Sequence, residues 1–531
     1  MTDNTSHSPT KVSSELEDRT KLLVDLASTI LHARAVPDKS LVEQGMDSLG
    51  VVDLLEALGT HGFTVDYERL LSDAALGTLA QDVGPLSAAG PIILDDDKKS
   101  GLLPLSGAQS IWATLETAGW ADWCNISLCV SIPAASVAAS DVPKIVRKLC
   151  DQNDALRMVL VRGDGPKNEV FQKVLPHCHV PVELRDAPRS ERDAMRIVEG
   201  FEGRVRSPFE PSTEALVMTS DDDGGRHWLC LTMHHVFADR IAMQSLKRQI
   251  EAIIAGGDFG RSETPQLGYG DVAVWQSEQA ESQRESNLPK PGFVGPEGMP
   301  ECRLDPGLGL ALGDLPTVSF LSPSQVLRLE ACAKRLGSTA PTLLQVLFHA
   351  VIARLTSGEK PGYALTCQVA SNREQHPSLK DLVGCFDTSI PVQMSFDKPD
   401  TSKEACKKAL KAFTEGYADW ADEPRGGWLK SADRAELFTR VPHINVVRLP
   451  PAHTPHGVQD HSVQRVQRTH WGALLRVWMP ALGHDGVPDQ EMRIAAFAED
   501  RALAVALHHC HLRKLGFACT QNRVQTFGKT V

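Results

Sequence analysis

Apolar residues near the N-terminus recur at the three- and four-residue spacing that is typical of amphipathic helices. A first stripe covers residues 16–31 and a second covers 49–58, and shorter helices are predicted around 67–71 and 76–83. Helices this close together along the chain bury their apolar faces most readily against one another. Residues 14–84 are therefore predicted to form a small all-α unit of four helices.

The pattern changes after this unit. Residues 85–101 mix Gly, Pro and charged side chains and indicate a linker. From residue 102 onward, strands and helices mix. Apolar runs predict strands at 128–132, 159–161, 228–233 and 365–369, and helical spacing predicts helices at 142–152, 191–205, 241–254, 323–336, 340–356 and 402–417.

Residues 256–318 are rich in Gly, Pro and polar side chains and show little periodicity except around 272–275. Such a stretch indicates a long connection between two halves of similar size. We therefore expect a first α/β lobe at 102–265, a crossover at 266–318 and a second lobe at 319–531.

Composition narrows the class of protein. The chain has 531 residues, of which 42% are hydrophobic and 23% are charged, as in ordinary globular proteins. Its net charge of −12 disfavours a nucleic-acid partner. We find no apolar segment of bilayer length and no secretory signal, so we expect a cytoplasmic protein with no membrane partner.

The cysteines and histidines do not indicate a metal site. The 12 cysteines are scattered without a CxxC pair, which favours buried residues and free thiols in a reducing compartment. The two densest His and Cys clusters are at 177–179 and 508–511. Neighbours on a strand point to opposite faces, so such runs rarely converge on one ion.

A serine lies between the first two predicted helices, in Gly45-Met46-Asp47-Ser48-Leu49. Gly45 permits a tight turn, Asp47 is suited to cap the next helix, and Ser48 falls on its first turn. A phosphodiester on Ser48 would lie at the positive end of the helix dipole. An N-cap serine without any modification is the alternative interpretation.

The surrounding unit resembles the acyl and peptidyl carrier domains of polyketide and nonribosomal peptide synthetases, which have a G-x-D-S-L sequence at the start of their second helix. The resemblance covers residues 14–84. It implies that Ser48 carries 4′-phosphopantetheine, attached by a phosphopantetheinyl transferase, and that Asp47 belongs to the attachment sequence. Acidic residues such as Glu43 and Asp53 would then form a face for basic partner enzymes.

A second candidate site is Met233-His234-His235-Val236-Phe237-Ala238-Asp239-Arg240, an HHxxxD sequence that follows an apolar strand. A histidine that leaves a buried strand into a loop is held in place, and its ordinary pKa of about 6.5 suits proton transfer near neutral pH. An isolated match of this kind also fits a structural histidine.

Four further segments resemble motifs of nonribosomal peptide synthetase condensation domains, and all five occur in the family's order. They are Leu105-Ser106-Gly107-Ala108-Gln109-Ser110-Ile111-Trp112, Asn153-Asp154-Ala155-Leu156-Arg157, Tyr269-Gly270-Asp271-Val272-Ala273-Val274-Trp275-Gln276 and Val383-Gly384-Cys385-Phe386-Asp387-Thr388-Ser389-Ile390-Pro391. The resemblance implies a fold class of a small four-helix carrier domain plus an α/β condensation domain. That domain would have two chloramphenicol-acetyltransferase-like lobes in a V arrangement, with the active site between them.

The resemblance also implies roles for individual residues. His235 would be the base or positioning residue, and His234 would be structural. Asp239 would pair with Arg157 and fix the loop. Arg240 stands where the family has glycine, and two interpretations remain open: a solvated side chain, or one that contacts a carboxylate on the acceptor.

The implied reaction is transfer of an acyl group from the phosphopantetheine thioester on Ser48 to an acceptor amine or alcohol, in natural-product or antibiotic biosynthesis. We expect loading in trans by an acyl-loading, upstream synthase or adenylation enzyme. The acceptor is either a free small molecule, in which case the step releases the chain, or is bound to a separate carrier protein. An epimerisation-type domain and a catalytically inactive docking platform of the same superfamily are the alternatives. The sequence decides neither the acyl group nor the acceptor, and it leaves amide and ester products open.

Overall fold

A computed structural model provides the structure of the chain. It describes residues 9–31, 33–46, 48–85, 92, 101–117, 124–163, 169–176, 180–222, 224–256, 267–285, 317–355, 363–373, 376–395, 402–420, 441–448, 457–461, 473–480, 488 and 491–498.

The N-terminal unit contains four helices, in the order that apolar periodicity predicts. They are α1 (Pro9–Ile30), α2 (Ser48–Thr60), α3 (Tyr67–Leu70) and α4 (Leu76–Leu79). Two short antiparallel strands, β1 (Phe63–Thr64) and β2 (Gly84–Pro85), bring the end of the unit back against its middle. Gly45 has a φ of +97°, a conformation that favours glycine, in the turn that leads into α2.

Strands of the first half form a five-stranded sheet and a separate hairpin. The sheet has the order β13-β3-β8-β7-β6, and the hairpin pairs β4 with β5. Their bounds are β3 (Asn125–Pro133), β4 (Met158–Arg162), β5 (Val170–Val174), β6 (Val182–Asp186), β7 (Glu214–Thr219), β8 (Arg226–His234) and β13 (Gln459–Asp460). The helices of this half are α5 (Gly107–Thr117), α6 (Val142–Gln152), α7 (Glu191–Glu202), α8 (Arg240–Ile254) and α9 (Tyr269–Glu285).

Strands of the second half form a six-stranded mixed sheet in the order β11-β10-β12-β14-β15-β9. Their bounds are β9 (Thr317–Leu321), β10 (Tyr363–Ser371), β11 (Asp387–Ser395), β12 (His443–Arg448), β14 (Ala473–Met479) and β15 (Met492–Ala498). The helices are α10 (Pro323–Arg335), α11 (Ala340–Leu355) and α12 (Ser402–Trp420). Strand β10 is antiparallel to β11 and parallel to β12.

The predicted strands and helices are present, with most differences at their ends. The strand predicted at 128–132 is the middle of β3, and the helix predicted at 142–152 has those bounds. The predicted crossover contains helix α9, whose Tyr269 and Val272 are fully buried in the core of the first half. The spacing of apolar residues indicates the interior of a helix or strand more strongly than its ends, because caps and tertiary contacts decide at which residue it begins and ends.

Strand β13 joins the two halves. It comes from the second half of the chain but pairs with β3, with Gln459 opposite Ser131 and Asp460 opposite Val130. Beside it, the Arg226 guanidinium donates a hydrogen bond of 2.6 Å to the Gly457 carbonyl. A segment more than 300 residues away along the chain therefore completes the first sheet.

The N-terminal unit packs on the second half. Its buried residues share one apolar cluster with the second sheet and its helices, including Leu41 and Met46 on one side and Leu344 and Phe413 on the other. Helix α2 contacts the turn Pro377–Leu379, and Asp53 Oδ1 lies 3.6 Å from Lys380 Nζ.

Within the described ranges, no single helix is both long and apolar enough to cross a membrane. One pair, Pro323–Arg335 and Ala340–Ala353, meets the length and composition requirement only when taken together, and it is bent by 87°.

Candidate functional site

The HHxxxD segment lies where the central strand of the first sheet ends. His234 is the last residue of β8, a 3-10 turn covers His235–Phe237, and α8 begins at Arg240. The His234 ring accepts a hydrogen bond of 3.2 Å from the Val236 N–H, and the Asp239 carboxylate accepts one of 2.7 Å from the Ala242 N–H. An aspartate at the N-cap satisfies a free N–H of the first helical turn, so the sequence itself favours a sharp turn followed by a helix.

Asp239 also attaches this loop to the second half of the chain. Its Oδ1 accepts a hydrogen bond of 2.8 Å from Arg373 Nη2, and its Oδ2 accepts one of 2.9 Å from the Phe386 N–H. The Asp239 N–H in turn donates to the Gly384 carbonyl at 3.1 Å. Asp239 and Arg373 are both buried, so the pair holds the loop in an environment with little water.

The prediction that Asp239 pairs with Arg157 was wrong, because Asp239 pairs with Arg373. The Arg157 side chain donates to the Cys150 carbonyl at 3.0 Å and to the Leu175 carbonyl at 2.6 Å. These bonds hold the guanidinium within the first half of the chain, between helix α6 and the end of β5. Arg373 follows β10, whose end lies beside the loop, and this proximity decides the pairing.

The His235 ring is held from one side and open on another. Its backbone N–H donates to the Cys124 carbonyl at 2.7 Å, and its ring stacks on Trp112 with centroids 4.4 Å apart. The side chain keeps 18% of its surface exposed. Burial lowers the pKa of His235 to about 4, helped by Arg476 and His234, whereas its own backbone carbonyl and Asp239 raise it. The imidazole is therefore neutral near pH 7 and has a lone pair available to accept a proton.

His234 faces the interior. Its side chain is fully buried, its Nδ1 accepts from the loop backbone, and its Nε2 lies 3.7 Å from Glu116 Oε2. Contacts of this kind order the loop on which His235 lies. They favour the predicted structural role of His234.

The structure contradicts one of the two interpretations of Arg240, the solvated side chain, and the contact with an acceptor carboxylate stays a prediction. Its side chain is only 12% exposed, so it is not a solvated surface group. The carboxylate nearest to it belongs to this chain, because Asp460 Oδ2 of strand β13 lies 3.8 Å from Arg240 Nη2. Arg240 therefore connects the start of α8 to the segment that joins the two halves.

The motif segments meet around the same loop. Tyr269 OH lies 2.7 Å from Ser106 Oγ and donates a hydrogen bond to the Cys385 carbonyl. The Gly107 N–H donates to Gln276 Oε1 at 3.1 Å. Asp154 Oδ1 accepts a bond of 2.8 Å from the Tyr269 N–H. Segments far apart in the sequence thus form one hydrogen-bonded frame.

Sequence reasoning missed two residues of this site, Arg373 and Asp387. Asp387 begins β11, is 25% exposed, and has its Oδ2 3.9 Å from His235 Nε2. Burial and the Asp239 carboxylate raise the pKa of Asp387 to about 8, against the opposing effect of Arg373 and Arg476. Asp387 stands at an unspecified position of the motif that contains it, and Arg373 follows a predicted strand closely. In the sequence, the only indication of a role for these two residues was their position, Asp387 within a motif and Arg373 shortly after a predicted strand.

The serine of the N-terminal unit begins helix α2. Asp47 lies outside the described residues, as do the His and Cys clusters at 177–179 and 508–511. Where the structure does describe side chains, no three His, Cys, Asp or Glu residues are grouped to hold a metal ion.

Comparisons with known proteins agree on the large domain. The Condensation domain family matches residues 99–419. Surfactin synthase subunit 2 of Bacillus subtilis is 29% identical in an alignment of 516 residues that covers 90% of this chain and 13% of that protein. Tyrocidine synthase 3 of Brevibacillus parabrevis is 27% identical in an alignment of 284 residues that covers 50% of this chain and 4% of that protein. The chain therefore spans a small part of these relatives' length.

Solved structures share the fold. The structure that describes condensation domain-mediated chain release from the enacyloxin polyketide synthase has a TM-score of 0.55 at 17% identity, covering 92% of this chain and 99% of that one. The condensation domain of the monacolin K polyketide synthase MokA has a TM-score of 0.59 at 14% identity, covering 78% and 96%. These likenesses confirm the two-lobed α/β architecture. With the family match over more than half of its length, the chain belongs to the condensation-domain family of nonribosomal peptide synthetases.

Proposed function

We propose that this chain transfers an acyl group from a phosphopantetheine thioester on Ser48 to an acceptor amine or alcohol, with His235 as the base. Condensation domains form amide bonds, and a thioester is already activated towards acyl transfer. The protein's own contribution is then to position the reactants and to remove a proton as the new bond forms.

His235 carries this proposal. Its ring is fixed by the Trp112 stack and by a loop that Asp239 and Arg373 hold, so its exposed edge has a defined direction. Because burial lowers its pKa to about 4, the ring is free to accept a proton throughout the neutral range. A base with so low a ground-state pKa acts mainly on a proton that is being lost in the transition state.

The N-terminal unit fits the carrier part of the proposal. Gly45 forms a positive-φ turn and Ser48 is the first residue of a 13-residue helix. The free N–H groups of a helix N-terminus and its dipole favour a phosphodiester there. When bound, phosphopantetheine would supply a thiol that holds the acyl group. The unit packs on the second half of the chain through a shared apolar cluster that includes Leu41 and Leu344.

The partners follow from this chemistry. We propose a phosphopantetheinyl transferase that modifies Ser48, and an acyl-loading, upstream synthase or adenylation enzyme that acts in trans. The acceptor is a free small molecule or is bound to a separate carrier protein. Transfer to a free acceptor would release the chain.

The test is reconstitution of the full chain. Wild-type protein is treated with a phosphopantetheinyl transferase and an acyl-CoA, and intact-protein mass spectrometry follows loading and then release by a panel of amines and alcohols. We expect mass gain in the wild type and in His235→Ala but none in Ser48→Ala. Release should be at least about 100-fold slower in His235→Ala, the lower range for loss of a general base.

Each alternative predicts a different result. Mass gain that persists in Ser48→Ala would refute the carrier assignment. Release at the wild-type rate in His235→Ala would refute the role of His235. Inversion of an aminoacyl stereocentre without release would indicate an epimerisation-type domain, and loading without release or inversion would favour the docking platform.

A further inference from the structure

We propose that Asp387 binds the acceptor as a primary ammonium beside His235 and takes the first of the two protons that this ammonium must lose. Asp387 would then be a substrate-binding and catalytic residue that selects an amine over an alcohol, so that the product is an amide. This inference rests on the proposed acyl transfer and adds a substrate class that the sequence left open.

The spacing of the two side chains supports this assignment. Asp387 Oδ2 and His235 Nε2 are 3.9 Å apart, which is too far for a direct hydrogen bond. A nitrogen atom at about 2.9 Å from each of them would form an Oδ2–N–Nε2 angle of about 85°. The angle between two N–H bonds of an amine is larger, near the tetrahedral value, and hydrogen bonds tolerate this deviation from linearity. A primary amine has two such donors and can bridge the ring and the ionised carboxylate. A hydroxyl group has one donor and can bridge them only while Asp387 is protonated. The gap therefore fits an amine nitrogen.

The charges around Asp387 favour a cation. Among the described residues, the charged or titratable groups around it are His235, Asp239, Cys385, Arg373 and Arg476. Arg373 donates to Asp239 and to the carbonyls of the turn after β10, so much of its charge is already balanced. Burial and Asp239 leave the pKa of Asp387 near 8. At pH 7, before an ammonium binds, Asp387 is therefore mostly protonated, in spite of Arg373 and Arg476. A bound ammonium would add positive charge beside it and favour the ionised carboxylate, and the 25% exposure of Asp387 leaves it accessible.

The proton balance separates the two acceptor classes. When the ammonium binds, Asp387 loses its own proton to solvent. The ammonium then gives one proton to the ionised carboxylate, and the freed lone pair of the amine attacks the thioester carbonyl. As the C–N bond forms, His235 takes the second proton. The C–S bond breaks, His235 returns this proton to the departing thiolate, and Asp387 keeps its proton until the next ammonium binds and displaces it to solvent. An alcohol loses a single proton, for which His235 is sufficient.

The experiment compares Asp387→Asn with wild type in the full chain, loaded with an octanoyl group on phosphopantetheine. The three acceptors are n-butylamine, which is protonated at pH 7, trifluoroethylamine, which is mostly neutral there, and n-butanol. We expect the KM for n-butylamine to rise about 10- to 100-fold, the range for loss of a hydrogen bond to a charged group. The KM values for the other two acceptors should change less than about threefold. Asp381→Asn, in an exposed pair with Arg248, is the matched control and should leave all three unchanged.

A second measurement does not depend on turnover. In the unloaded chain, carbon-13 NMR follows the titration of the Asp387 carboxyl group, assigned by its loss in Asp387→Asn. Added n-butylammonium should move this titration to lower pH, and tetramethylammonium, which has no N–H group, should not. An equal KM change for all three acceptors, no change for any, or a titration that n-butylammonium leaves in place would overturn the proposal. Failure of wild type to transfer octanoate together with a shifted titration would refute the acyl transfer but retain the ammonium site.

Discussion

Replacement of Arg373 by methionine tests the buried ion pair that holds the HHxxxD loop. Methionine keeps much of the length of the side chain but removes its charge and its donors. The Arg373 side chain is 3% exposed and Asp239 is fully buried, so the variant leaves an unpaired carboxylate in the protein interior. The carbonyls of Leu379, Leu382 and Gly384 also lose a donor.

The expected loss of unfolding free energy in Arg373→Met follows from these contacts. Removal of one partner from a buried ion pair costs about 3–5 kcal/mol, a large part of the stability of about 5–15 kcal/mol that is typical of a protein domain. At about 2–4 °C per kcal/mol for a unit of about 150–250 residues, the size of one lobe, the Tm should fall by about 6–20 °C. Arg157→Met is the matched control. Because it removes bonds to two carbonyls and a charge near Asp154, but no ion pair that the structure describes, we expect it to cost about 1–3 kcal/mol.

A double-mutant cycle with Asp239→Asn identifies the true partner. If Arg373 holds Asp239, then Asp239→Asn and Arg373→Met together should destabilise less than the sum of the two, with a coupling of about 1.5–3 kcal/mol. The corresponding cycle with Arg157→Met should be additive within about 0.5 kcal/mol. Thermal and urea unfolding of the full chain measure both. Coupling of Asp239 to Arg157 instead of Arg373 would refute the pairing.

Two further predictions concern stability. The unfolding free energy should fall between pH 7.5 and pH 5, because burial lowers the pKa of His235 and His443 to about 4 and that of His349 to about 3, so protons bind the unfolded chain first. Asp387 acts in the opposite direction, because its pKa is raised to about 8, and offsets part of this fall. Each of these histidines should lower the unfolding free energy by about 2 kcal/mol at pH 5, relative to a histidine with an ordinary pKa of about 6.5. In His349→Gln, the fall of the unfolding free energy with pH should be smaller by that amount. An unchanged pH dependence in this variant would contradict the prediction. In Gly384→Ala, the new Cβ would lie 2.3 Å from the Tyr269 ring, so we expect a loss of about 1–3 kcal/mol in thermal unfolding. Gly200→Ala, in a helix where a Cβ meets nothing within 4 Å, should instead stabilise by about 0.5–1 kcal/mol, and equal effects of the two would reject the close-approach argument.

Much of the local structure follows from the sequence. The periodicity at 142–152 predicts a helix with the observed bounds, because its apolar stripe and its ends depend on neighbours along the chain. The same holds for Gly45 before α2 and for the HHxxxD loop after β8, where a strand, a turn and an aspartate N-cap follow one another. The motif order likewise indicated the family before any contact was known.

Contacts between distant segments were beyond the reach of local patterns. Asp239 and Arg373 are 134 residues apart, and only the arrangement of β8 and β10 brings them together. The same applies to β13 beside β3, which places Asp460 next to Arg240.

The sequence by itself therefore determined ten of the twelve α-helices and four of the fifteen strands that the structure describes. It also determined which residues make up the motifs, and that His235 is the candidate base. Only the tertiary structure decided that Arg373 replaces Arg157 as the partner of Asp239, and that Asp387 faces His235 at 3.9 Å. The reason is physical: secondary structure responds mainly to neighbours along the chain. Ion pairs and pKa values depend instead on burial and on charges that the fold brings together across the two halves.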